Sequence, residues 1–399
     1  MKKTVVLAYS GGLDTSVCVK WLTERGYRVI AFMANVGQGD PSAAAIKRAK
    51  AAGAVQVIVR DLRREFIIDY CWPALKADAV YEGKYLLATA LSRPLIAKHL
   101  VDVAHTVKAK AVSHGCTGKG NDQVRFEVTA RILDPSLTII APVREWEFRS
   151  RDEEIEYAVR HRIPIDVTKR SPYSIDQNLW GTSIESGVLE NPWTEPPADT
   201  YRSIRAPERS ASRPGYVTIG FTKGVPTRLN GKRDNPVKLV ERLNALGAAH
   251  GVGRSDMIES RVVGIKSREV YEAPAGTIMS EAHQELERLV LDRTLLQFKQ
   301  NIASAYAELI YSGLWFTPLK RALDAFVDET QRQMAGAVRL KLYKGACQVV
   351  GRTSPHSLYQ ERLATYSAKD QFDQSASEGF IKLFGLPYEG TPIHKTRSV

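Results

Sequence analysis

Thr4-Val5-Val6-Leu7-Ala8-Tyr9-Ser10-Gly11-Gly12-Leu13-Asp14-Thr15-Ser16 is the stretch on which the reading of this chain turns. Thr4 to Tyr9 is a β-rich run, and Thr15 to Arg25 reads as a helix. Between them, two adjacent glycines let the backbone turn tightly and approach a ligand closely. The helix start offers free N–H groups and the positive end of its dipole, a ready anion site. Ser10, Thr15 and Ser16 add hydroxyl donors. The result is a phosphate cradle, but neither of the common ones: a GxxxxGK[ST] loop needs a lysine that is missing here, and a dinucleotide fold needs GxGxxG. A glycine turn with a helix capped by Asp14 or Thr15 is the plain structural alternative. The full SGGLDTS string directly after a strand favours nucleotide binding.

The same alternation continues outward. Arg28–Asn35 reads as a strand, a helix opens at Pro41 and stops at Gly53, and Val55–Arg60 is a third strand. Ala111–Ser113 and Thr138–Ala141 look like two more. Strands separated by helix-length inserts predict an α/β fold, with an N-terminal parallel-sheet nucleotide-binding domain over residues 1–165. Ligands in such sheets sit beyond the carboxyl ends of the strands, where strand order switches.

The rhythm then changes. Ser171–Arg213 is loop-like and proline-rich, Tyr216–Phe221 turns at Lys223-Gly224 into Pro226–Leu229, and Ala337–Tyr343 turns at Lys344-Gly345 into Ala346–Gly351. Glu281–Tyr311 reads as one long helix with Leu289, Leu296, Ala303 and Ile310 seven apart. A second, α+β domain over 166–360 and a C-terminal tail over 361–399 follow. The tail is polar except for Phe380, Ile381, Leu383 and Phe384, an apolar knot that either docks on its own body or reaches a neighbouring subunit.

Composition narrows the class. The 399 residues are 44% hydrophobic and 25% charged, which suits a soluble globular protein and excludes disordered, collagen-like and disulfide-stapled chains. No run approaches the ~20 apolar residues a membrane span needs. The basic N-terminus precedes too few apolar residues for a signal peptide, so a cytoplasmic location and no membrane partner are expected. The four cysteines form no CxxC pair and no zinc rhythm. The net charge is +12, and residues 1–130 hold 19 basic against 11 acidic side chains. That surplus fits a nucleotide, a dicarboxylate or RNA, without choosing among them.

A second constellation, Ser113-His114-Gly115-Cys116-Thr117-Gly118-Lys119-Gly120-Asn121-Asp122-Gln123-Val124-Arg125-Phe126-Glu127, also leads from a strand into a helix. Both loops should therefore face one crevice. Asp122 can accept from an ammonium group and Arg125 can hold a carboxylate bidentately. His114 and Cys116 read as structural.

SGGLDTS, GCTGKGNDQVRFE, SIDQNLWG, ENPW and GVGRSDMIESRVVGIKSREVYEAPAG occur in the order expected of the argininosuccinate synthase family. The chain resembles that family over nearly its whole length, the tail only loosely. The first loop looks like the pyrophosphatase loop of adenine nucleotide alpha hydrolase-like domains, which cleave ATP between its α and β phosphates. The resemblance implies a cytoplasmic homotetramer in arginine biosynthesis. Such an enzyme joins L-citrulline to L-aspartate through citrullyl-AMP, with ATP as cosubstrate and Mg²⁺ on ligands that stay unassigned. It further implies ATP binding by Ala8, Tyr9, Ser10, Gly11, Gly12, Leu13, Asp14, Thr15, Ser16 and Ala34, with Gly115 beside the adenosine. Thr117, Asn121 and Asp122 match the aspartate positions. Tyr85, Asn121, Arg125, Ser174, Ser183, Glu259 and Tyr271 match the citrulline positions, and Asp14, Asn121, Asp122 and Arg125 carry the catalytic expectation. One departure stands out: where many members have a citrulline-contacting hydroxyl after Tyr85, this chain has Ala90, with Thr89 and Ser92 as the nearby substitutes. The rivals are an RNA-modifying enzyme with the same loop and a non-catalytic nucleotide sensor. Scattered cysteines and the absence of interleaved basic and aromatic residues argue against RNA; the large second domain argues against a sensor.

Overall fold

The computed structural model describes residues 3–39, 43–164 and 173–389, and the elements below are those among the described residues. The N-terminal part contains β1 (Thr4–Ala8), α1 (Leu13–Glu24), β2 (Arg28–Asn35), α2 (Ala43–Ala51), β3 (Gln56–Asp61), α3 (Ala88–Thr106), β4 (Ala111–Ser113), α4 (Asn121–Leu133), β5 (Thr138–Ile140) and α5 (Arg151–Arg160). The strands form one parallel sheet in the order β3-β2-β1-β4-β5. Both faces are covered: Val6, Ile30 and Phe32 enter one apolar core, while Val5, Leu7, Val29 and Ala31 enter another on the opposite side. Alternate side chains along a strand point to opposite faces, so an all-apolar run suits a sheet buried twice. The chain builds outward from β1 in one direction and then returns to add β4 on the other side. The switch in strand order therefore lies between β1 and β4, where the two glycine-rich loops emerge. The expected helix start at Pro41 and the expected domain boundary at residue 165 lie outside the described residues. Gly53, at φ +111°, ends the turn after α2.

The second part supplies β6 (Ser174–Gln177), β7 (Thr182–Glu185), β8 (Gly215–Thr222), β9 (Val225–Leu229), β10 (Lys232–Arg233), α6 (Pro236–Ala249), β11 (Arg254–Ser260), β12 (Lys266–Glu272), α7 (Pro274–Val290), α8 (Arg293–Tyr311), α9 (Pro318–Thr330), β13 (Gly336–Tyr343) and β14 (Ala346–Thr353). They make two antiparallel sheets, β10-β9-β8-β13-β14 and β11-β12-β7-β6. The two expected hairpins form. Lys223-Gly224 and Lys344-Gly345 carry positive φ at both positions, as two-residue type I′ hairpin turns demand. Asn230-Gly231 does the same between β9 and β10.

The single long helix expected over Glu281–Tyr311 is two helices. Leu291 is extended (ψ 142°), and the Asp292 carboxylate accepts from the N–H groups of Thr294 (2.9 Å) and Leu295 (3.0 Å). An aspartate that caps a new helix ends the old one, even where the apolar period runs through. Residues up to His356 form one compact unit, and those from Ser357 onward another. The tail unit carries α10 (Ala376–Gly385), on which Phe380, Ile381, Leu383 and Phe384 are 64–74% exposed.

α7, α8 and α9 are tied together by a buried ionic cluster. The Lys299 ammonium, 2% exposed, meets Glu287 at 2.9 Å and also Asp78. His283 holds Asp78 through Nδ1 (3.0 Å) and Gln331 through Nε2 (2.9 Å), while the Gln331 amide donates to Glu287 at 2.7 Å. Asp78, His283 and Glu287 lie close enough to ligate a metal, but Lys299 already holds both carboxylates, and burial with the Asp78 charge pushes the Glu287 carboxyl up to about 7. Burial alone would raise the Asp78 carboxyl; the Lys299 and His283 charges hold it well below the usual range. Replacing Lys299 by methionine should strand two buried carboxylates and cost about 3–5 kcal/mol. Urea unfolding checks this; a loss below about 1 kcal/mol would show that the cluster rearranges without its cation.

Candidate active site

A cavity of about 660 Å³ opens beyond the carboxyl ends of β1 and β4. Ala8, Tyr9, Ser10, Gly12, Asp14 and Thr15 of the first loop line it. Gly12, rather than Asp14 or Thr15, is the residue before the first helical turn, and no side chain caps that turn. The leading N–H groups of α1 are thus open toward a ligand. Ser10 Oγ accepts from the Gly12 N–H at 3.3 Å and pairs with Thr15 Oγ1 at 3.1 Å. Gly11 sits at φ +86°, where a Cβ would come within 2.9 Å of Ala45, and its carbonyl accepts from Arg48. Ser16 is buried, bonded to the Tyr9 hydroxyl (2.9 Å) and the Gly12 carbonyl (2.6 Å). Gly11, Leu13 and Ser16 therefore shape the loop from behind, and none lines the cavity. Ala34 and Gly115 do, and a Cβ on Gly115 would meet Thr15 at 2.9 Å. On α5, burial and the Asp14 charge push the Glu154 carboxyl up to about 8.

The loop after β4 forms the opposite wall. His114 Nδ1 accepts from the Cys116 N–H (3.2 Å), and Nε2 faces Glu127 (3.2 Å), which Arg144 also holds at 2.6 Å. With both ring nitrogens engaged, His114 braces the loop. Burial pushes the Cys116 thiol well up, with Asp122 adding to the effect. Thr117 lines the cavity. Both ends of the Asn121 amide are occupied: Nδ2 donates to the Tyr311 hydroxyl (2.8 Å) and Oδ1 accepts from the Val262 N–H (2.9 Å).

Asp122 stands between two guanidinium groups, Arg125 Nη1 at 2.9 Å on one oxygen and Arg93 at 2.7–2.8 Å on the other. Arg93 also holds Asp176 of β6 at 2.6 Å. Desolvation would raise the Asp122 carboxyl; the two arginines overcome it and lower it. Asp122 is thus already charge-paired, a poor proton acceptor that orients Arg125. Arg125 in turn donates from Nε to the Tyr311 carbonyl (2.9 Å), while its Nη2 is buried without a hydrogen-bond partner among the described residues. Nη2 is thus the Arg125 nitrogen with no protein partner among the described residues.

The four-stranded sheet supplies the floor. Ser174, Ser183, Glu259 and Tyr271 all line the cavity. Glu259, 2% exposed, accepts from the hydroxyls of Tyr311 (2.6 Å) and Tyr271. Tyr85 stacks on Tyr271 at 4.1 Å, and its hydroxyl accepts from the N–H groups of Thr89 (3.0 Å) and Ala90 (3.3 Å). Ala90 is buried and turned away. Of the two substitute hydroxyls, Ser92 bonds the Thr89 carbonyl inside α3, whereas Thr89 lines the cavity and pairs with Ser183 at 2.9 Å.

Sequence reasoning missed Arg93, Asp176, Tyr311 and Arg261. Arg93 carried a signal: as the one charged residue in the first half of α3 it shares a helical face with Thr89 and Ile96, and all three line the cavity. Asp176 alternates with Ser174 on β6, which puts both on one face. Tyr311, at the end of α8, had no local signal.

Residues 4–164 match the family model described as the arginosuccinate synthase N-terminal HUP domain, and residues 173–390 that of the arginosuccinate synthase C-terminal domain. The chain is 56% identical over 388 residues to argininosuccinate synthase of Aquifex aeolicus, covering 97% of each chain. It is 55% identical over 387 residues to that of Chlorobaculum tepidum, 96% of each. To that of Rubrobacter xylanophilus it is 56% identical over 385 residues, 96% of this chain and 94% of the other.

Burial raises the thiols of Cys18, Cys71 and Cys116, and lifts that of Cys347 to about 12. Since the thiolate is the reactive form, a disulfide reagent at neutral pH should label no cysteine rapidly in the native protein and all four after denaturation. A fast single thiol would contradict the protonated state of this set.

Proposed function

The chain belongs to the argininosuccinate synthase family, and from that membership we propose how the cavity divides among three substrates. The protein is an AMP-forming carbon–nitrogen ligase: it joins L-citrulline to L-aspartate in arginine biosynthesis, converting ATP to AMP and pyrophosphate. A ureido carbon is a poor electrophile because both nitrogens donate into its carbonyl. Its oxygen must first become a leaving group. Attack of that oxygen on the α-phosphate gives citrullyl-AMP and expels pyrophosphate; the aspartate amine then displaces AMP. Neither step calls for a protein nucleophile, so positioning and charge stabilisation carry the rate.

ATP takes the first loop. Ser10, Gly12 and Thr15 and the open first turn of α1 hold the phosphates, Gly11, Leu13 and Ser16 fix the loop's path, and Ala34 and Gly115 flank the adenosine. Citrulline lies on the sheet floor. The free Arg125 nitrogen takes its carboxylate, Glu259 its ammonium, and Thr89, Ser174 and Ser183 its remaining polar groups, beside the stacked Tyr85 and Tyr271 rings. Aspartate binds at Thr117, Asn121 and Asp122. The observation that carries this division is the buried, unpartnered Arg125 nitrogen in a cavity that also contains the open helix start. An unsatisfied buried donor is costly, and a bound carboxylate removes that cost. Mg²⁺ accompanies ATP in this reading. Asp14 and Glu154 are hard oxygen donors beside the loop that hydrogen-bond to each other, the Glu154 carboxyl pushed up to about 8, a pair that would give up its proton to this ion. The ion would draw charge from the departing pyrophosphate. A cytoplasmic homotetramer completes the proposal. No helix among the described residues is long and apolar enough to cross a membrane, and the exposed apolar face of α10 suits a second copy of the chain.

With each substrate omitted in turn, AMP and pyrophosphate should form only when citrulline is present. Citrulline bearing heavy oxygen in its ureido group should label AMP and not pyrophosphate; ADP as product, or label in pyrophosphate, would overturn the mechanism. Arg93→Gln should lower kcat/KM by roughly 30- to 200-fold, about 2–3 kcal/mol for breaking a desolvated charge pair. Arg93→Lys should recover part of it. Unchanged kinetics in both variants would show that Asp122 holds Arg125 unaided.

A further inference from the structure

One face of the four-stranded sheet concentrates acid. The pairings Tyr271↔Ser183 and Glu259↔Ser267, with strict alternation along each strand, bring Glu269, Tyr271, Ser183, Glu185 and Glu259 to the same side. Glu185, Glu259 and Glu269 all line the cavity. One cation serves the first and last of them: Arg261 Nη2 donates to Glu269 at 2.9 Å and also to Glu185. The rest of that guanidinium is spent on Ser267 Oγ (2.8 Å) and the Lys119 carbonyl (3.3 Å) of the glycine-rich loop. Among the described residues, Glu259 receives only the neutral hydroxyls of Tyr271 and Tyr311. The other charges on this wall balance by themselves, Asp176 and Asp122 against Arg93 and Arg125. The floor is therefore short of positive charge, in a place where Glu269 is 6% exposed. Two unneutralised carboxylates do not persist at such a site; one takes up a proton.

We propose that Glu185 and Glu269 share one proton in the absence of substrate and release it when the α-ammonium group of citrulline binds against them. The inference rests on the citrulline reading of this cavity and adds a second ammonium contact to Glu259. The balance is simple: a neutral Glu269 carboxyl beside ionised Glu185 loses its proton to solvent, and the substrate's –NH₃⁺ replaces that charge. No covalent bond forms or breaks. The electrostatics agree with a shared proton, and one observation beyond the carboxyl pair points to such a ligand. Burial, then the charges of Glu185 and Glu259, push the Glu269 carboxyl well up against the pull of Arg261. The Arg125 nitrogen that awaits an anion, on a residue 3% exposed, lines the same cavity. A zwitterionic amino acid answers both demands at once, whereas a ligand lacking the ammonium leaves Glu269 protonated. The pair so discriminates for an α-amino acid.

The sign follows from linkage. Below the raised Glu269 value, a proton competes with citrulline, so affinity should rise with pH, approaching tenfold per unit for one proton displaced. The test is calorimetric titration of the full chain with citrulline, in the presence of an ATP analogue carrying an α,β-methylene bridge. Phosphate and Tris buffers, whose ionisation heats differ, report the protons exchanged. Close to one proton should be released per citrulline near neutral pH. Glu269→Gln, which keeps a hydrogen bond to Arg261, should bind citrulline with no proton release and a flat pH profile. Glu185→Gln should behave likewise, because it lets Arg261 ionise Glu269 alone. Citrulline binding without proton release in the wild-type protein would overturn the inference while leaving the citrulline site standing. Undiminished proton release in both variants would overturn it too. No citrulline binding at all in the wild-type protein would instead reject the cavity assignment on which it rests.

Discussion

Arg93 holds Asp122 with one edge of its guanidinium and Asp176 with another. Much of the site depends on that interaction. Asp122 belongs to the helix after the glycine-rich loop and Asp176 to the antiparallel sheet, so one partly buried cation joins two parts built on different principles. The chain of alternating charge runs on to Arg125, whose remaining nitrogen is left for a ligand. Partly buried charges are held best in pairs, and each pair fixes the geometry of the next. A planar, five-donor guanidinium can serve two carboxylates in fixed directions, which a lysine cannot do.

Around this chain the protein uses neutral groups where it needs shape and charged groups where it needs charge. Tyr81, Tyr85, Tyr271 and Tyr311 pack face to face and edge to face behind Glu259. Burial pushes the Tyr81 and Tyr85 phenols up to about 12, so they act as fixed dipoles. The loop after β1 offers backbone N–H groups and hydroxyls without a lysine. Such groups favour a polyanion in place without a strong point charge, which suits a leaving group that must also depart. The thiols and the imidazole nearest the chemistry are withheld, Cys116 by its protonated state and His114 by its two partners.

The sequence determined what is local. The apolar run of Thr4–Ala8, the double glycine and the Leu13 helix start specify a strand, a turn and an open anion site through interactions among near neighbours. Lys223-Gly224 and Lys344-Gly345 specify hairpins in the same way, and the repeated strand–helix alternation specifies a parallel sheet. The family resemblance named Ser174, Ser183, Glu259 and Tyr271 of the floor, but not Glu185 or Glu269. What is set by distant partners was not legible. The long helix expected over Glu281–Tyr311 divides because Asp292 found a better use as a cap than as a helical residue. Ala90 looked like a lost contact until α3 was seen to turn Thr89 toward Ser183, ninety-four residues away. Which Arg125 nitrogen is engaged by the protein depends on Tyr311, 186 residues on. The single proton assigned to Glu185 and Glu269 is a property of their sharing Arg261, which no spacing along the chain encodes. Hydrogen-bond capacity and charge balance are settled only when every competitor for a donor is in place, and that is decided by tertiary structure alone.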